Sequence, residues 1–333
     1  MSRMQIINPE DLLYLAMSFI EPRAVQIACQ QKLFTHIAHG CQTSAELEQS
    51  TRCNASAIER ILLVCASLGL VYKEGEKWQL TDLASEYLIE GQNSSLCPIF
   101  TMAARSYHSF DQLPAYATSG EPIAPPPHYQ HQEVVRNFMQ TSWAMGRVQA
   151  EYMMAQIRGK FSPTGNTLLD IGAGSGIYTT IFLKHFPQLR CYAVELPQVA
   201  QIVQQQFAEN RVTWLGQDVI KDGLPDVAFD VALLASFIHG FSPQQTRQLL
   251  ARVYEALPTG GVLLIQDHFL RPDPKNPGMA ALFNLNIALH NAGGGVQTLQ
   301  QIETQLREVG FREVEVFDPV SQPGLMPVLL STK

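Results

Sequence analysis

His239, Asp267, His268 and His290 are the side chains whose type and setting could move a proton or hold a ligand. An apolar run over 229–234 leads into the turn that carries His239. A second run, LLIQDHF, brings Asp267 and His268, with Asp267 28 residues after His239. In open α/β sheets, ligands bind beyond the carboxyl ends of strands, so groups at the ends of such runs fall where a reaction would take place. An imidazole beside a carboxylate can take a proton as another bond forms, while the carboxylate fixes which ring nitrogen carries hydrogen. The same residues also read another way. His239, Asp267 and His290 make a two-histidine, one-carboxylate set that could hold a divalent metal with open positions and polarise a 2-oxo acid or vicinal hydroxyls. A histidine near an apolar run is also often structural, and His290 with Asn291 reads equally as a pocket wall or a helix cap. From spacing alone these readings stay open.

The second feature is the stretch LLDIGAGSG over 168–176, followed by VELP, whose Glu195 stands 23 residues after Gly172. A strand, a glycine turn, a helix and a second strand closing on an acid roughly 20 residues on is the arrangement that meets ribose hydroxyls. The glycines are spaced G-x-G-x-G (Gly172, Gly174, Gly176), not the G-x-G-x-x-G expected where a pyrophosphate rests on a helix N-terminus. Asp170, two residues before the first glycine, is a poor neighbour for a diphosphate and a good one for an ammonium group. S-adenosyl-L-methionine fits these constraints, with an adenosine for Glu195 and an amino-acid end for the loop and Asp170.

These groups need elements to hold them. Residues 167–171 read as a buried strand, 177–187 as a helix, and RCYAVE as the next strand. Upstream, a helical stretch runs to about residue 118, and SGEPIAPPPHY over 119–129 reads as a linker or lid edge. HQEVVRNFMQTSWAMGRVQAEYMMAQI then forms one long helix or two. Its Phe138, Met139, Trp143, Met145, Met153 and Met154 fall at helical spacing, which reads first as core and second as the wall of an aromatic substrate pocket. Leu282, Phe283, Leu285 and Leu289 make an apolar lid helix before His290, and the Gly293 to Gly295 run permits a sharp turn or a close approach. Such walls suit a flat acceptor.

The first hundred residues have another character. From Leu12 the apolar steps predict two helices broken near Pro22. Thr43 and Ser44 ahead of Glu46 and Glu48 predict a capped helix start, and Asn54 or Ser56 caps a further helix that ends near Gly69. Two short strands around Gly75 precede another short helix. This is the winged-helix order, whose last helix before the wing can read DNA. Here that helix offers Arg60 alone, beside Glu59 and among Ile58, Ile61, Leu62, Leu63, Val64 and Leu68. Counterion release needs several cations on one face, so dimerisation or capping of a substrate site is favoured.

Composition agrees. The 333 residues carry a net charge of -7 with 46% hydrophobic residues, which fits two domains and argues against a nucleic-acid partner. The six cysteines form no C-x-x-C pair. Four recur every twelve residues, but the stretches between them do not repeat, so they read as buried free thiols in a reducing cytoplasm. No unbroken apolar run of about eighteen residues and no basic start with an apolar h-region occurs, so neither export nor a membrane span is expected.

Taken in order, LLDIGAGSG, VELP, LGQDVIKDGLP, HGFSPQQTRQLLARVYEALPTGGVLLIQD and NIALHNAGGGVQT resemble the class I S-adenosylmethionine-dependent methyltransferases, within them the O-methyltransferases that carry an N-terminal winged-helix dimerisation domain. The resemblance implies an α/β fold: a Rossmann-like, doubly wound, seven-stranded catalytic domain over 156–333, a helical linker and pocket segment over 101–155, and a mainly α-helical dimerisation domain over 1–100. It implies that Gly172 and Gly174 pack on the methionine part of the cofactor, that Glu195 with Leu196 takes the ribose, and that Asp218 and Val219 flank the adenine. An Asp after a strand is also a common turn former. His239 falls on the family's general base, and Asp267 on an orienting position that usually holds Glu. The family's second orienting Glu falls at Val296 and its Lys at Ala235, a cofactor-side position, so both charged supports are lost. The implied activity is methyl transfer to a hydroxyl of a small aromatic or polyketide-like metabolite by a homodimer. Metal-dependent C-methylation of a 2-oxo acid or activated carbon stands as the alternative, and a regulator sensing an adenosine metabolite as the non-enzyme one.

Overall fold

A computed structural model describes residues 6–123, 132–160, 165–205, 207, 209–271, 278–291, 293–322 and 324–333. The chain divides near residue 111 into two compact units.

The N-terminal unit comprises helices α1 (Pro9–Met17), α2 (Ile20–Gln30), α3 (Leu33–Ala38), α4 (Ser44–Ser50) and α5 (Ala55–Ser67), strands β1 (Val71–Glu74) and β2 (Lys77–Leu80), then α6 (Asp82–Tyr87) and α7 (Cys97–Phe110). The first helix break falls at Ser18 and Phe19, not at Pro22. Pro22 sits in the first turn of α2, where the missing N–H has no helical partner to lose. Thr43 caps α4 in a reciprocal box with Glu46, and Asn54 caps α5. The wing pairs antiparallel around Gly75, whose φ is +60°. Phe34, Leu47, Ile58, Leu62 and Trp78 are fully buried in this unit's core, and each such side chain contributes about 1.5–3 kcal/mol. Glu59 accepts from Lys73 of β1 at 2.6 Å and from Trp78 Nε1 at 3.2 Å, which ties α5 to the wing.

One expectation changes here. The 101–155 segment does not stand apart: α7 belongs with the N-terminal unit because Cys97 and Phe100 pack into its core, while the chain from Gln112 onward belongs with the sheet. In addition, no residue of α1 is buried, and Leu12, Leu13, Met17 and Phe19 are all exposed. The 22 residues Pro9–Gln30 are long and apolar enough to cross a membrane by length and composition alone.

The C-terminal unit begins with α8 (Leu113–Ser119) and the single long helix α9 (Gln132–Ile157). The proline-rich stretch expected as a linker lies partly outside the described residues, at 124–131. Then come β3 (Thr167–Ile171), α10 (Ile177–His185), β4 (Arg190–Glu195), α11 (Pro197–Gln204), β5 (Val212–Gly216), β6 (Val231–Ala235), α12 (Pro243–Ala256), β7 (Val262–Gln266), α13 (Met279–His290), α14 (Leu299–Val309), β8 (Glu313–Phe317) and β9 (Val328–Thr332). The sheet order is β5-β4-β3-β6-β7-β9-β8. β5 to β7 run parallel, and β9 and β8 close the edge antiparallel. Central strands buried on both faces read as unbroken apolar runs, as in β6 and β7. Leu168 packs in the cluster with α9 and α10, and Leu169 and Ile171 pack in the opposite one with α12 and α14. Met153 and Met154 are core residues beneath α9.

Candidate active site

β6 ends at Ala235, and Ser236 then takes a left-handed φ of +51° before a short 3-10 turn, Ile238–Gly240, presents His239. Asp267 directly follows β7, the strand paired with β6, and is 0% exposed. Its Oδ1 lies 2.7 Å from His239 Nδ1 and accepts the His268 backbone N–H at 2.7 Å, while Oδ2 accepts the backbone N–H of Phe237 at 3.0 Å and of His239 at 3.3 Å. Burial pushes this carboxyl up, but the charge and hydrogen bond of His239, helped by His268, hold it below the usual carboxylate value. Burial pushes the His268 imidazole down, against the opposing pull of Asp267.

The glycine run after α13 has a structural reason. Gly295 N–H donates to the His239 carbonyl at 3.0 Å, and a Cβ on Gly294 would stand 2.9 Å from Asn291 Cβ and 3.2 Å from the Gly240 carbonyl oxygen. The close approach is therefore to the turn that carries His239. Asn284 Oδ1 holds the neighbouring Val296 N–H at 2.8 Å. The Phe283 ring stands edge-on to His239 with centroids 4.8 Å apart and lies tilted on His268 at 4.1 Å. His290 ends α13 with a buried Nδ1 that has no hydrogen-bond partner among the described residues, and Asn291 is the helix C-cap. Burial lowers the pKa of His290. Among the described residues no three His, Cys, Asp or Glu come together to hold a metal ion, so His239, Asp267 and His290 are not assembled as ligands.

At the end of β3, Gly172, Gly174 and Gly176 take φ values of +73°, +54° and +77°, a region that L side chains enter only with strain. Gly172 and Ala173 donate their N–H groups to the Val194 carbonyl, and a Cβ on Gly172 would fall 2.1 Å from the Phe237 ring. Gly174 N–H donates to Glu195 Oε2 at 3.0 Å and Leu196 N–H to Oε1 at 2.8 Å, which aims the Glu195 carboxylate across the loop. Burial raises the pKa of Glu195. Asp170 does not face the loop. It shares the α10 side of β3 with Leu168, is 1% exposed, and accepts from Thr179 Oγ1 of α10 at 2.6 Å. Burial raises its carboxyl to about 7.

Asp218 follows β5. It accepts the N–H groups of Ile220 and Lys221 at 3.2 Å each, an Asx-type turn, and Val219 beside it is buried. Met139 is 7% exposed and packs with Val199, Ile202 and Val203 of α11. Phe138 lies against the same group, and Trp143 against the cluster beneath α9 and α10. Ala235 is buried at the end of β6. Five adjacent parallel strands thus carry Asp218, Glu195, the glycine loop, His239 and Asp267 at their carboxyl ends, in the order β5, β4, β3, β6, β7. Sequence spacing does not reveal Ser142, Phe237 or Thr179. Their contacts join elements separated in the chain, and no local pattern marks them.

Residues 115–312 match the model of the O-methyltransferase domain, and residues 13–90 match the O-methyltransferase dimerisation domain. The chain belongs to the O-methyltransferase family. Over 323 residues this O-methyltransferase is 26% identical to the N,N-dimethyltransferase OxyT of Streptomyces rimosus, covering 92% of each chain. It is also 26% identical to a 3-hydroxy-5-methyl-1-naphthoate 3-O-methyltransferase of Streptomyces sahachiroi, over 98% of this chain and 95% of that one. The structure of human N-acetylserotonin methyltransferase in complex with SAM superposes with a TM-score of 0.88 at 23% identity, covering 100% of this chain and 99% of that one. The protein is an S-adenosylmethionine-dependent enzyme acting on small molecules, and its dimerisation domain, which includes exposed apolar side chains of α1 and α2, implies a homodimer.

Proposed function

We propose that the protein transfers a methyl group from S-adenosylmethionine to a hydroxyl of a small aromatic or polyketide-like molecule, with His239 as general base and Asp267 as its orienting partner. The observation that carries this is the 2.7 Å pairing of His239 Nδ1 with the fully buried Asp267.

The loop residues Gly172, Gly174 and Gly176 with Glu195, Leu196, Asp218, Val219 and Ala235 would hold the donor. The left-handed glycines leave the loop backbone open to close approach, and the Glu195 carboxylate keeps lone pairs for hydroxyl donors beyond those used by Gly174 and Leu196. Bound S-adenosylmethionine supplies a methyl group already activated as a sulfonium. The chain's own task is to orient a nucleophile and take its proton.

With Nδ1–H donated to Asp267, the lone pair of His239 sits on Nε2 and can accept a hydroxyl proton. A phenol has pKa near 10 and an imidazole about 6.5, so the proton leaves as the carbon–oxygen bond forms rather than before it. Asp267 then stabilises the imidazolium from a dry setting, where charge acts at longer range than in water. Phe283, against both imidazoles, screens that side from solvent and suits a flat acceptor. The likeness to an enzyme named for methylating a naphthoate hydroxyl supports this acceptor class.

The metal-dependent C-methylation reading finds no matching donor set among the described residues, and both oxygens of Asp267 are engaged in four hydrogen bonds. The DNA-binding reading is opposed by a net charge of -7 and by Glu59, which occupies the wing face of α5. Six free cysteines fit residence in a reducing cytoplasm. The test is a panel of hydroxylated aromatic acceptors incubated with methyl-labelled donor and read by mass spectrometry. Label on oxygen of a phenolic acceptor, lost in His239→Gln while donor binding persists, is the expected result. Label on carbon, or full turnover in His239→Gln, overturns the reading.

A further inference from the structure

The side chain that the sequence assigns to the amino-acid end of the donor, Asp170, is sealed below the loop and spent on Thr179. The residue that faces Gly174 is Ser142 of α9. Its Oγ lies 3.4 Å from the point a Cβ on Gly174 would occupy, and 3.4 Å from Ser175 Oγ. A hydroxyl-to-hydroxyl hydrogen bond normally spans about 2.7–2.8 Å. The two hydroxyls are thus neighbours that satisfy each other poorly, one from the loop and one from the helix, and both are drawn toward a stronger acceptor.

The strand order supplies direction. Asp218 and Glu195 stand at the ends of β5 and β4, the loop at the end of β3, and His239 at the end of β6. A donor whose adenosine meets the first two and whose methyl must reach a hydroxyl beside His239 lies across β3, and its amino-acid end meets the loop. Glu195 places an acid beside that loop, a setting that draws an ammonium and repels a carboxylate. Uncharged hydroxyl donors are what a carboxylate needs there.

We infer that Ser142 and Ser175 form the carboxylate-binding clamp for the methionine end of the donor, so that α9 reads whether the whole donor is bound. This rests on the reading that the glycine loop and Glu195 hold the donor. It adds a residue from outside the sheet and its loops.

Calorimetric binding of two neutral thioethers to the full-length protein tests it: S-adenosylhomocysteine, and 5′-methylthioadenosine, which keeps the adenosine but has no amino-acid end. Ser142→Ala, which is well tolerated in a helix, should weaken S-adenosylhomocysteine roughly ten-fold, the size of a lost hydrogen bond to a charged group. Methylthioadenosine affinity should not change. Ser175→Ala should show the same split, Ser142→Thr should keep wild-type binding, and Ser142→Asp should lose more than Ser142→Ala on S-adenosylhomocysteine alone. Equal losses on both thioethers, no loss on either, or tighter S-adenosylhomocysteine binding in Ser142→Asp overturns the clamp. A wild-type protein that binds neither thioether would overturn the donor-site reading, and the clamp with it.

Discussion

Asp267 holds His239 twice, accepting from its ring at 2.7 Å through Oδ1 and from its backbone N–H at 3.3 Å through Oδ2. Ring and turn are thereby both tied to one carboxylate just beyond the adjacent strand, so the imidazole cannot rotate without breaking its own hydrogen bond to Oδ1. Asp267→Asn keeps the size but substitutes an amide N–H for one acceptor oxygen, which must then face a donor. Turnover should fall by about 10²–10⁴-fold, with S-adenosylhomocysteine affinity retained and stability reduced by ~1–3 kcal/mol. Single-turnover kinetics and calorimetry on the same preparation separate these effects. Wild-type turnover in this variant would remove Asp267 from the mechanism.

The Asp170 carboxyl, raised by burial from 3.8 to about 7, keeps its proton in the folded chain where the unfolded chain has released it. Its contribution to stability is therefore complete below about pH 4 and is lost as pH rises through about 7. The neighbouring shift at His268 has the opposite sign, because a lowered imidazole favours the folded state as pH rises, so the comparison must be with a variant. Asp170→Asn, whose side-chain oxygen can still accept from Thr179, should gain on the wild type between pH 5 and pH 8, by ~3 kcal/mol. Urea denaturation across that range measures it; parallel curves for the two proteins would show that Asp170 does not titrate there.

Gly172 meets two constraints at once, a φ of +73° and the Phe237 ring 2.1 Å from where a Cβ would stand. Gly223, with a φ of +85° and nothing within 4 Å, meets only the first. Gly223→Ala should cost ~1–2 kcal/mol for the backbone, and Gly172→Ala a further ~1–3 kcal/mol for the clash. Replacing Phe237 by Ala in the Gly172→Ala background should recover the second part only. Equal costs for the two single variants would mean that the ring yields freely.

The exposed apolar side chains of α1 and α2 fall in and beside the region that matches the dimerisation domain. Leu13→Glu combined with Phe19→Glu should convert the dimer to a monomer in sedimentation velocity without loss of helical content. A dimer that survives both charges would place the interface elsewhere.

Removal of metal ions by a chelator should leave turnover unchanged, because no trio of ligating side chains is assembled among the described residues. Activity that is lost on chelation and restored by added magnesium would reinstate the metal reading.

How far local sequence carries is visible in particular places. The strand over 167–171 and the acid that closes β4 at Glu195 are legible because a buried parallel strand leaves an unbroken apolar run and its turn a glycine signature. The wing and the capped starts of α4 and α5 are legible for a similar reason, since a cap involves residues within one turn of each other. Pro22 misleads as a helix break because proline is tolerated in the first turn of a helix. The 101–155 segment misleads because nothing local says which core a helix joins.

What the chain determined by itself was its periodicities, its turns, and the residue types at the ends of its strands; these depend on neighbours close in sequence. What only the tertiary structure decided was which of those residues meet. Strand order brings Asp267 to His239 across 28 residues and Gly295 to the same turn, and the alternation of β3 turns Asp170 away from the loop toward Thr179. The helix α9, well upstream in the chain, brings Ser142 against the glycine loop. Contacts of that kind arise when elements pack face to face, and no spacing along the chain encodes them.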